Sequence, residues 1–414
     1  MANITFADST GRYDGRHLDT HPLGATETSV IYLAHELAKR GHNVTVFTHC
    51  EAAIEHEGVH WRPLGSTPPE GSDLFVAVQH TELLGLVRSA RRQAIWILWQ
   101  PNHLENFHRI WRMWRHRPVP VFASQYQVRT YTPLLRRRAP DVADDMRNPE
   151  APLGFDFRTH PIRSLRYAVR IGRLRRALRL GVAWAALPHP HPWLVIPLGL
   201  PDEIKGLPPL TDPPAPHAIF ASNPVRNLRR LVEIWATSIL PRVPNAILDV
   251  YGIHDLGARD AWQAWEGSLL PPGLPPHAKA SVRIHQTAPR HVLMEAMRAS
   301  RLMLYLGHEC EAFCVSLAEA QALGVPAVVA PVGALPERVI DGVTGFQRAD
   351  PQSFAAAAVS LLTDNALWRR QHEACLSERK GLTWSEYADR FETALLGISR
   401  SREGGGQPER LEPQ

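Results

Sequence analysis

The stretch Glu311-Ala-Phe-Cys-Val-Ser-Leu-Ala-Glu319, followed by Ala-Gln-Ala-Leu-Gly324-Val-Pro326-Ala-Val-Val329, decides the fold expected for this chain. It follows the apolar run Leu302–Tyr305, which predicts a strand, and its own spacing of apolar residues predicts a helix over Val315–Leu323. The run Ala327–Ala330 then predicts a second strand. A strand–helix–strand unit of this kind implies a parallel sheet with helices on its faces.

The start of the predicted helix offers a place for an anion. The first backbone N–H groups of a helix have no partner within it, and the helix dipole puts partial positive charge there. We therefore expect the amides of Phe313, Cys314 and Val315 to bind a phosphate or diphosphate group.

Two carboxylates stand on either side of this turn. Their spacing places Glu311 in the loop before the helix and Glu319 about two turns inside it. Carboxylates accept hydrogen bonds from the vicinal hydroxyls of sugar and ribose rings. For isolated glutamates, a solvated loop residue and an ordinary helix-surface residue are the commoner interpretations. The pattern around these two favours the binding interpretation.

The remaining sequence predicts two doubly wound α/β domains, which 414 residues can form. The first domain contains a predicted helix, Thr26–Arg40, and the second contains helices Leu228–Ile239 and His291–Ala299. Predicted strands of the first domain are Ile4–Ala7, Val44–Thr48, Leu74–Val78, Ile95–Trp99 and Val119–Ala123. Those of the second domain, besides the two above, are Ala218–Ala221, Ala246–Tyr251 and Val282–His285.

The predicted boundaries are residues 1–204 for the first domain, with a basic insert at about 134–193, and 217–380 for the second. A proline-rich linker at 205–216 joins them, a helix within 381–398 is expected to return to the first domain, and 399–414 are expected to form a disordered tail. Ligands of such folds bind at the carboxyl ends of the strands, in this case in a cleft between the domains.

Composition narrows the class of protein only slightly. The formal net charge of +5 favours anionic partners without selecting among them. The four cysteines fit neither a structural zinc pattern nor a secreted disulfide framework. The N-terminus has no secretory signal pattern, and prolines interrupt the most apolar stretch, Leu180–Leu200, so we expect a cytoplasmic protein.

With these motifs the chain resembles the family 4 retaining glycosyltransferases of GT-B fold, which carry the Glu-x7-Glu segment followed by Gly-Val-Pro. Two more turns of that family are similar here, Gly333-Ala-Leu-Pro-Glu337 and Asp341-Gly-Val-Thr-Gly345. The N-terminal half matches at Pro22-Leu-Gly24-Ala25-Thr-Glu27 and at Leu33-Ala-His-Glu-Leu-Ala-Lys-Arg-Gly41-His42. The resemblance extends from Ile4 to about Leu396.

The resemblance implies a nucleotide diphosphate sugar as donor. Glu319 is then expected to hold the ribose hydroxyls and Glu311 the transferred sugar, with Arg226 pairing with the diphosphate; a solvated loop arginine is the alternative for Arg226. Glu311 and Arg226 are the predicted catalytic residues. The other predicted donor-binding residues are Ser222, Asn223, Phe313, Cys314, Val315, Gly24 and Ala25.

This sequence departs from the family pattern in two places. Ala25 and Ala334 each replace the second glycine of a turn, and the Gly-Arg pair of the first loop of the second domain is absent. Alanine at position 25 would be strained if the site required a positive φ there.

The resemblance also implies retention of anomeric configuration, and we expect neither a cofactor nor a metal. The acidic stretch Asp141–Asp145 lies in the polar insert and not in a strand-end loop. His103 and His80 are candidates to line the acceptor site, with an ordinary loop position as the alternative for each.

Two basic helices are predicted, Arg163–Leu180 and Phe107–Arg117, each with arginines beside an apolar stripe. Such helices suit an anionic membrane that presents a lipid-linked acceptor, although a core-packed helix with a solvated arginine face is the alternative. No nucleic-acid recognition motif accompanies the arginines. Two alternative functions remain. One is a catalytically degenerate GT-B protein that binds sugar nucleotides or acts as a scaffold, and the other is a GT-B nucleotide-sugar epimerase.

Overall fold

The computed structural model describes residues 1–21, 23–99, 107–135, 193–252, 271, 273–285, 288–309, 311–379 and 381–398. Several predictions concern positions outside these residues. They are His103, the acidic stretch Asp141–Asp145, the basic helix Arg163–Leu180 with nearly all of the insert 134–193, and the tail 399–414.

Among the described residues, the N-terminal sheet has eight strands in the order β3-β4-β2-β1-β5-β6-β7-β8, and all neighbours are parallel except β3 and β4. The strands are β1 Asn3–Ala7, β2 Asn43–Thr48, β3 Ile54–His56, β4 Val59–Pro63, β5 Gly71–Val78, β6 Ser89–Ile97, β7 Val119–Phe122 and β8 Leu194–Val195. Its described helices are α1 His17–Thr20, α2 Ala25–Lys39, α3 Phe107–His116 and α4 Gln125–Leu135.

The C-terminal sheet has six parallel strands in the order β12-β11-β10-β13-β14-β15. They are β10 His217–Ala221, β11 Ile247–Tyr251, β12 Val282–Ile284, β13 Leu302–Tyr305, β14 Ala327–Val329 and β15 Gly345–Gln347. The helices are α5 Leu228–Ile234, α6 Pro276–Ala280, α7 Arg290–Ala299, α8 Val315–Ala322, α9 Pro351–Thr363, α10 Asn365–Glu378 and α11 Trp384–Leu396.

One predicted helix differs from the structure. Leu228–Ile239 was expected to be a continuous α-helix, but the α-helical part ends at Ile234 and a π-helical turn, Trp235–Ile239, follows. The N–H of Leu240 donates to the carbonyl of Trp235 at 2.8 Å, five residues back, which is the hydrogen bond of a π-turn. The wider turn leaves the Trp235 indole buried, with its N–H donating to Ser281.

The chain returns to the N-terminal domain at its last helix. Strand β16, Leu382–Thr383, pairs with β9, Gly199–Leu200, and leads into α11. On α11 the buried carboxylate of Glu392 accepts from Arg40 at 2.7 Å and lies 2.6 Å from Nε2 of His42. A buried charge needs such partners, so these contacts hold α11 against α2.

The carboxyl ends of the two sheets meet through specific contacts. The Tyr126 hydroxyl, at the start of α4, donates to the carbonyl of Glu309 in the loop after β13 at 2.6 Å. The ring of Phe313 packs with the N-terminal core although it belongs to the loop before α8. Loops that follow β7 and β13 therefore lie side by side between the domains.

Candidate active site

Glu311 lies at the carboxyl end of β13 and is held by groups from two strands. Tyr305, the last residue of β13, donates its hydroxyl hydrogen to Oε2 of Glu311. The hydroxyl of Ser222, which follows β10, lies 3.1 Å from the Tyr305 oxygen. Burial, and then the charge of neighbouring groups that include Glu311, raises the pKa of Tyr305 far above its usual range. The phenol therefore stays protonated and serves as a fixed donor.

Arg226 approaches the same carboxylate from the loop after β10. Its Nη1 atom lies 3.7 Å from Oε2 of Glu311. That distance is too long for a hydrogen bond, and among the described residues this buried nitrogen has no hydrogen-bond partner. An incompletely paired guanidinium beside a carboxylate can bind an anion that carries hydroxylated groups.

The loop of Arg226 takes its shape from two asparagines. The side chain of Asn223 accepts from the N–H of Val225 at 3.1 Å, and its carbonyl accepts from the N–H of Arg226 at 2.9 Å. Asn227 adopts a left-handed conformation with φ of 65° and donates to the carbonyl of Gly307 at 2.6 Å. Asn223 thus forms the turn that presents Arg226, and its predicted contact with a donor remains a prediction.

The start of α8 forms the third part of the site. In the part of the chain that the structure describes, no protein group accepts from the amides of Phe313, Cys314 and Val315. Cys314 is the residue before the helix and is left-handed, with φ of 65°. The Cys314 side chain interacts electrostatically with both Glu311 and Arg226, so the start of α8 lies near these two charged groups. Positive charge from Arg226 and from unpartnered amides at a helix start suits an anion.

A glycine turn supports Glu311 from behind. Gly333 has φ of +59°, and a Cβ atom added to it would lie 2.8 Å from both the Cβ and the carbonyl oxygen of Glu311. The next residue, Ala334, donates its N–H to that carbonyl at 2.8 Å. The backbone of Glu311 can take this position only because residue 333 has no side chain.

Glu319 is only 2% exposed, and its carboxylate contacts the guanidinium of Arg290 at the start of α7. The guanidinium also lies 5.9 Å from the centre of the Tyr32 ring on α2, so it bridges the two domains. Burial lowers the pKa of Arg290. The sequence analysis did not identify Arg290 as a site residue. The pattern that could have indicated it is a basic residue at the first position of a helix that follows a strand.

The N-terminal side of the cleft begins at Gly24 and Ala25. Gly24 has φ of −71° and Ala25 is the first residue of α2, so neither requires a left-handed conformation. The strain considered for Ala25 is therefore absent. A Cβ atom at Gly24 would lie 2.5 Å from a carboxylate oxygen of Glu27, so glycine leaves room there for that side chain.

His80 lies in the loop that follows β5. Its Nδ1 atom is 2.6 Å from the hydroxyl of Ser9, and its ring meets the Trp99 indole edge-on, with 6.1 Å between centroids. The neighbouring Asp8 is buried and accepts from the Tyr13 hydroxyl at 2.5 Å and from the N–H of Thr10 at 2.8 Å. Burial raises the pKa of Asp8.

The described residues contain no group of three or more histidine, cysteine, aspartate or glutamate side chains that is arranged to hold a metal ion. Within the same residues, no helix is long and apolar enough to cross a membrane.

Sequence comparison matches residues 276–376 to the family described as "Glycosyl transferases group 1". Among curated proteins, the chain is 34% identical over 128 residues to "D-inositol 3-phosphate glycosyltransferase 1" of Catenulispora acidiphila, which is 30% of this chain and 29% of that protein. It is 33% identical over 110 residues to "D-inositol 3-phosphate glycosyltransferase" of Thermobifida fusca, 26% of this chain and 25% of the relative. The chain thus matches less than a third of the length of each.

The fold is similar to solved structures over nearly its whole length. Anabaena Alr3699/HepE in complex with UDP and glucose gives a TM-score of 0.61 at 14% identity, covering 96% of this chain and 100% of that one. WaaG, a glycosyltransferase involved in lipopolysaccharide biosynthesis, gives 0.60 at 13% identity, covering 95% and 100%. Together with the two parallel sheets, these similarities confirm the predicted fold of two Rossmann-like domains.

Proposed function

We propose that this chain, a GT-B protein of the glycosyl transferases group 1, moves a sugar from a nucleotide diphosphate sugar to an acceptor hydroxyl. The single observation that carries the proposal is the meeting of Glu311, Arg226 and the amides at the start of α8. A carboxylate such as Glu311 binds hydroxyls, which the sugar of the donor carries. Arg226 and the amides bind an anion, which the diphosphate of the same donor provides. The structure of HepE with UDP and glucose supports a donor of this chemical class.

In this mechanism the departing diphosphate gains negative charge as its bond to the sugar breaks. The proposal assigns the stabilisation of that charge to Arg226 and to the amides of Phe313, Cys314 and Val315. Such preorganised stabilisation is usually the largest contribution to catalysis. Glu311, fixed by the Tyr305 hydroxyl, accepts from hydroxyls of the transferred sugar. The acceptor hydroxyl then attacks the anomeric carbon on the face from which the diphosphate departs. The bond between the anomeric carbon and the phosphate oxygen breaks, and the hydroxyl proton passes to an oxygen of the leaving diphosphate.

Glu319 is proposed to bind the hydroxyls of the donor ribose in place of, or together with, its present partner Arg290. Its carboxylate is buried against Arg290, so the ribose hydroxyls must replace the guanidinium or share the carboxylate with it. Because Arg290 also contacts Tyr32 of the other domain, this exchange couples ribose binding to the contact between the domains.

Retention of anomeric configuration and independence of metal ions are parts of the same proposal. Retention follows the family resemblance, and the positive charge of Arg226 and the α8 amides takes the part that a divalent cation plays in other transferases. Activity is therefore expected to survive excess EDTA. A loss that Mg²⁺ or Mn²⁺ restores would overturn this part of the proposal, and NMR of the product's anomeric proton tests retention.

Kinetics with the true donor test the site. A thermal-shift panel of UDP-, GDP- and ADP-sugars identifies that donor, since a ligand at about a hundred times its Kd stabilises by about 2.7 kcal/mol. Glu311→Gln is then expected mainly to lower kcat, because Glu311 contacts the reacting sugar. Glu319→Gln is expected mainly to raise the donor KM. Wild-type kinetics in both variants would contradict the assignment, and donor binding without turnover in the wild type would favour the degenerate alternative.

The acceptor and its location belong to the proposal as well. A cytoplasmic enzyme that meets a lipid-linked acceptor at an anionic membrane would use the basic segment Arg163–Leu180, where each arginine near the surface contributes about 1 kcal/mol. Co-sedimentation with vesicles should rise with anionic lipid and fall with salt. Replacing Arg163, Arg166, Arg170 and Arg173 by glutamine should abolish it. Wild-type protein that stays in the supernatant at low salt would show that this segment has another role.

A further inference from the structure

Trp99 is a large aromatic residue that the fold leaves in contact with solvent. It lies just after β6, at the carboxyl end of the N-terminal sheet, and 41% of its surface is exposed. Fully burying a large apolar side chain stabilises a protein by about 1.5–3 kcal/mol, so an exposed indole forgoes part of that stabilisation. Its ring contacts that of His80, a predicted acceptor-site residue.

Buried polar groups hold this indole in place. Its N–H donates to the hydroxyl of Thr26 at 3.1 Å, and its backbone N–H donates to the side chain of Gln79 at 3.1 Å. Its carbonyl accepts from Gln127 at 3.0 Å and from the Tyr131 hydroxyl at 3.1 Å. All four partners are buried. Three of them hold the backbone of Trp99 and Thr26 holds its indole N–H, so these contacts are in place before any ligand arrives.

Trp99 is also connected to the predicted sugar-binding loop. Gln127, which holds its carbonyl, is adjacent to Tyr126, whose hydroxyl donates to Glu309, two residues before Glu311. On its other side, Thr26 follows the predicted donor-binding residues Gly24 and Ala25. Trp99 is therefore hydrogen-bonded to residues that neighbour both loops proposed to hold the donor.

The polar groups beside the indole are suited to hydroxyls. Glu27 follows Thr26 at the start of α2, and its carboxylate lies beside Gly24, where it would come within 2.5 Å of an added Cβ atom. Carboxylates accept hydrogen bonds from hydroxyls and repel anions. The electron-rich face of an indole attracts polarised C–H groups and buries apolar area.

We propose that Trp99 is the platform on which the acceptor stacks, and that the acceptor presents a neutral hydroxylated ring, a pyranoside. A pyranose ring has a C–H face that fits an indole and a rim of hydroxyls that fits Glu27 and His80. This inference rests on the proposed function, because it concerns the acceptor of that reaction.

Saturation-transfer NMR on the full chain tests the proposal. The probes are methyl β-D-glucopyranoside, methyl α-D-mannopyranoside, myo-inositol and myo-inositol 1-phosphate, each in the presence of UDP. We expect saturation of the ring C–H protons of at least one methyl pyranoside. Trp99→Ala and Trp99→Leu should weaken that binding about tenfold, and Trp99→Phe should retain most of it, because only phenylalanine keeps an aromatic face.

Three results would overturn the proposal. They are the absence of signal from both methyl pyranosides in the wild type, equal binding by wild type and Trp99→Leu, and binding of myo-inositol 1-phosphate alone. Stabilisation of the wild type by UDP-sugars provides the separate test of the proposed function. If no nucleotide sugar stabilises the wild type, the proposed function fails whatever the pyranoside result is.

Discussion

The carboxylate of Glu337 accepts a hydrogen bond of 2.6 Å from the backbone N–H of Tyr126, across the boundary between the domains. It also accepts from the N–H of Gln125 at 3.1 Å, and Arg129 lies 3.5 Å away. Gln125 and Tyr126 begin α4, so a glutamate of the C-terminal domain caps a helix of the N-terminal domain. A carboxylate at this end of a helix also interacts favourably with the helix dipole.

Removing this cap is expected to loosen the contact between the domains. Loss of a helix cap costs about 0.5–2 kcal/mol, and here the cost applies only while the domains are together. Glu337→Ala should therefore lower kcat/KM about three- to tenfold and increase the radius of gyration measured by small-angle X-ray scattering. Glu337→Gln should lie between Ala and wild type. The exposed Glu373→Gln on α10 is the control, and an unchanged radius and kcat/KM in Glu337→Ala would contradict the role.

Gly333→Ala is expected to damage catalysis more than stability. The new methyl group would meet the backbone of Glu311, and the positive φ adds strain of about 1–3 kcal/mol. Gly342→Ala is a matched control, since Gly342 has φ of +76° but no atom within 4 Å of an added Cβ. Both variants should lose thermal stability, but only Gly333→Ala should lose kcat strongly. Equal kcat in the two variants would show that Gly333 does not position Glu311.

At position 314 the glycine variant is expected to be at least as stable as the alanine variant, the reverse of the usual order in helices. In ordinary helical positions glycine is less stable than alanine by about 1 kcal/mol. Cys314 is left-handed, with φ of 65°, where alanine is strained and glycine is not. Cys314→Gly should therefore unfold at a temperature equal to or above that of Cys314→Ala. At the buried Cys375, inside α10, the alanine variant should be the more stable. An alanine variant that is more stable than the glycine variant at both positions would contradict the strain at Cys314.

The sequence was sufficient to predict elements whose apolar pattern repeats locally. The burial of Ile4, Phe6 and Ala7 in β1, and of Val30, Leu33 and Leu37 in α2, follows directly from their spacing. The short hairpin of β3 and β4 was missed, because Ile54–His56 has three residues and no alternation to detect.

Contacts between distant segments could not be predicted in this way. Glu311 meets Arg226 because β10 and β13 are neighbours in the sheet, an order that no local pattern specifies. The contact of Glu319 with Arg290 and that of Glu337 with Tyr126 depend in addition on how the loops of the two sheets meet. Family resemblance supplied roles for individual residues, and the fold supplied their partners.

Asp8 is expected to make stability depend on pH in a direction opposite to most carboxylates. Burial raises its pKa above the ordinary value of 3.8. Its contribution to stability is then fully present below the unfolded-state pKa and is lost as pH rises through the folded-state pKa. Asp8→Asn has no titrating group at this position, so we compare the melting temperatures of wild type and Asp8→Asn at each pH. The difference, wild type minus variant, should decrease as pH rises from about 4 to the raised pKa of Asp8 and should be constant at higher pH.

Asp14 provides the opposite control for this measurement. It is buried, but hydrogen bonds from Arg16 outweigh the effect of that burial and lower its pKa. Its contribution is present above the unfolded-state pKa and is lost as pH falls through the folded-state pKa. The melting temperature of wild type minus that of Asp14→Asn should therefore increase with pH below about pH 4. Differential scanning calorimetry of the three proteins across this range measures both signs, and a difference that rises with pH for Asp8 would contradict the effect of its burial.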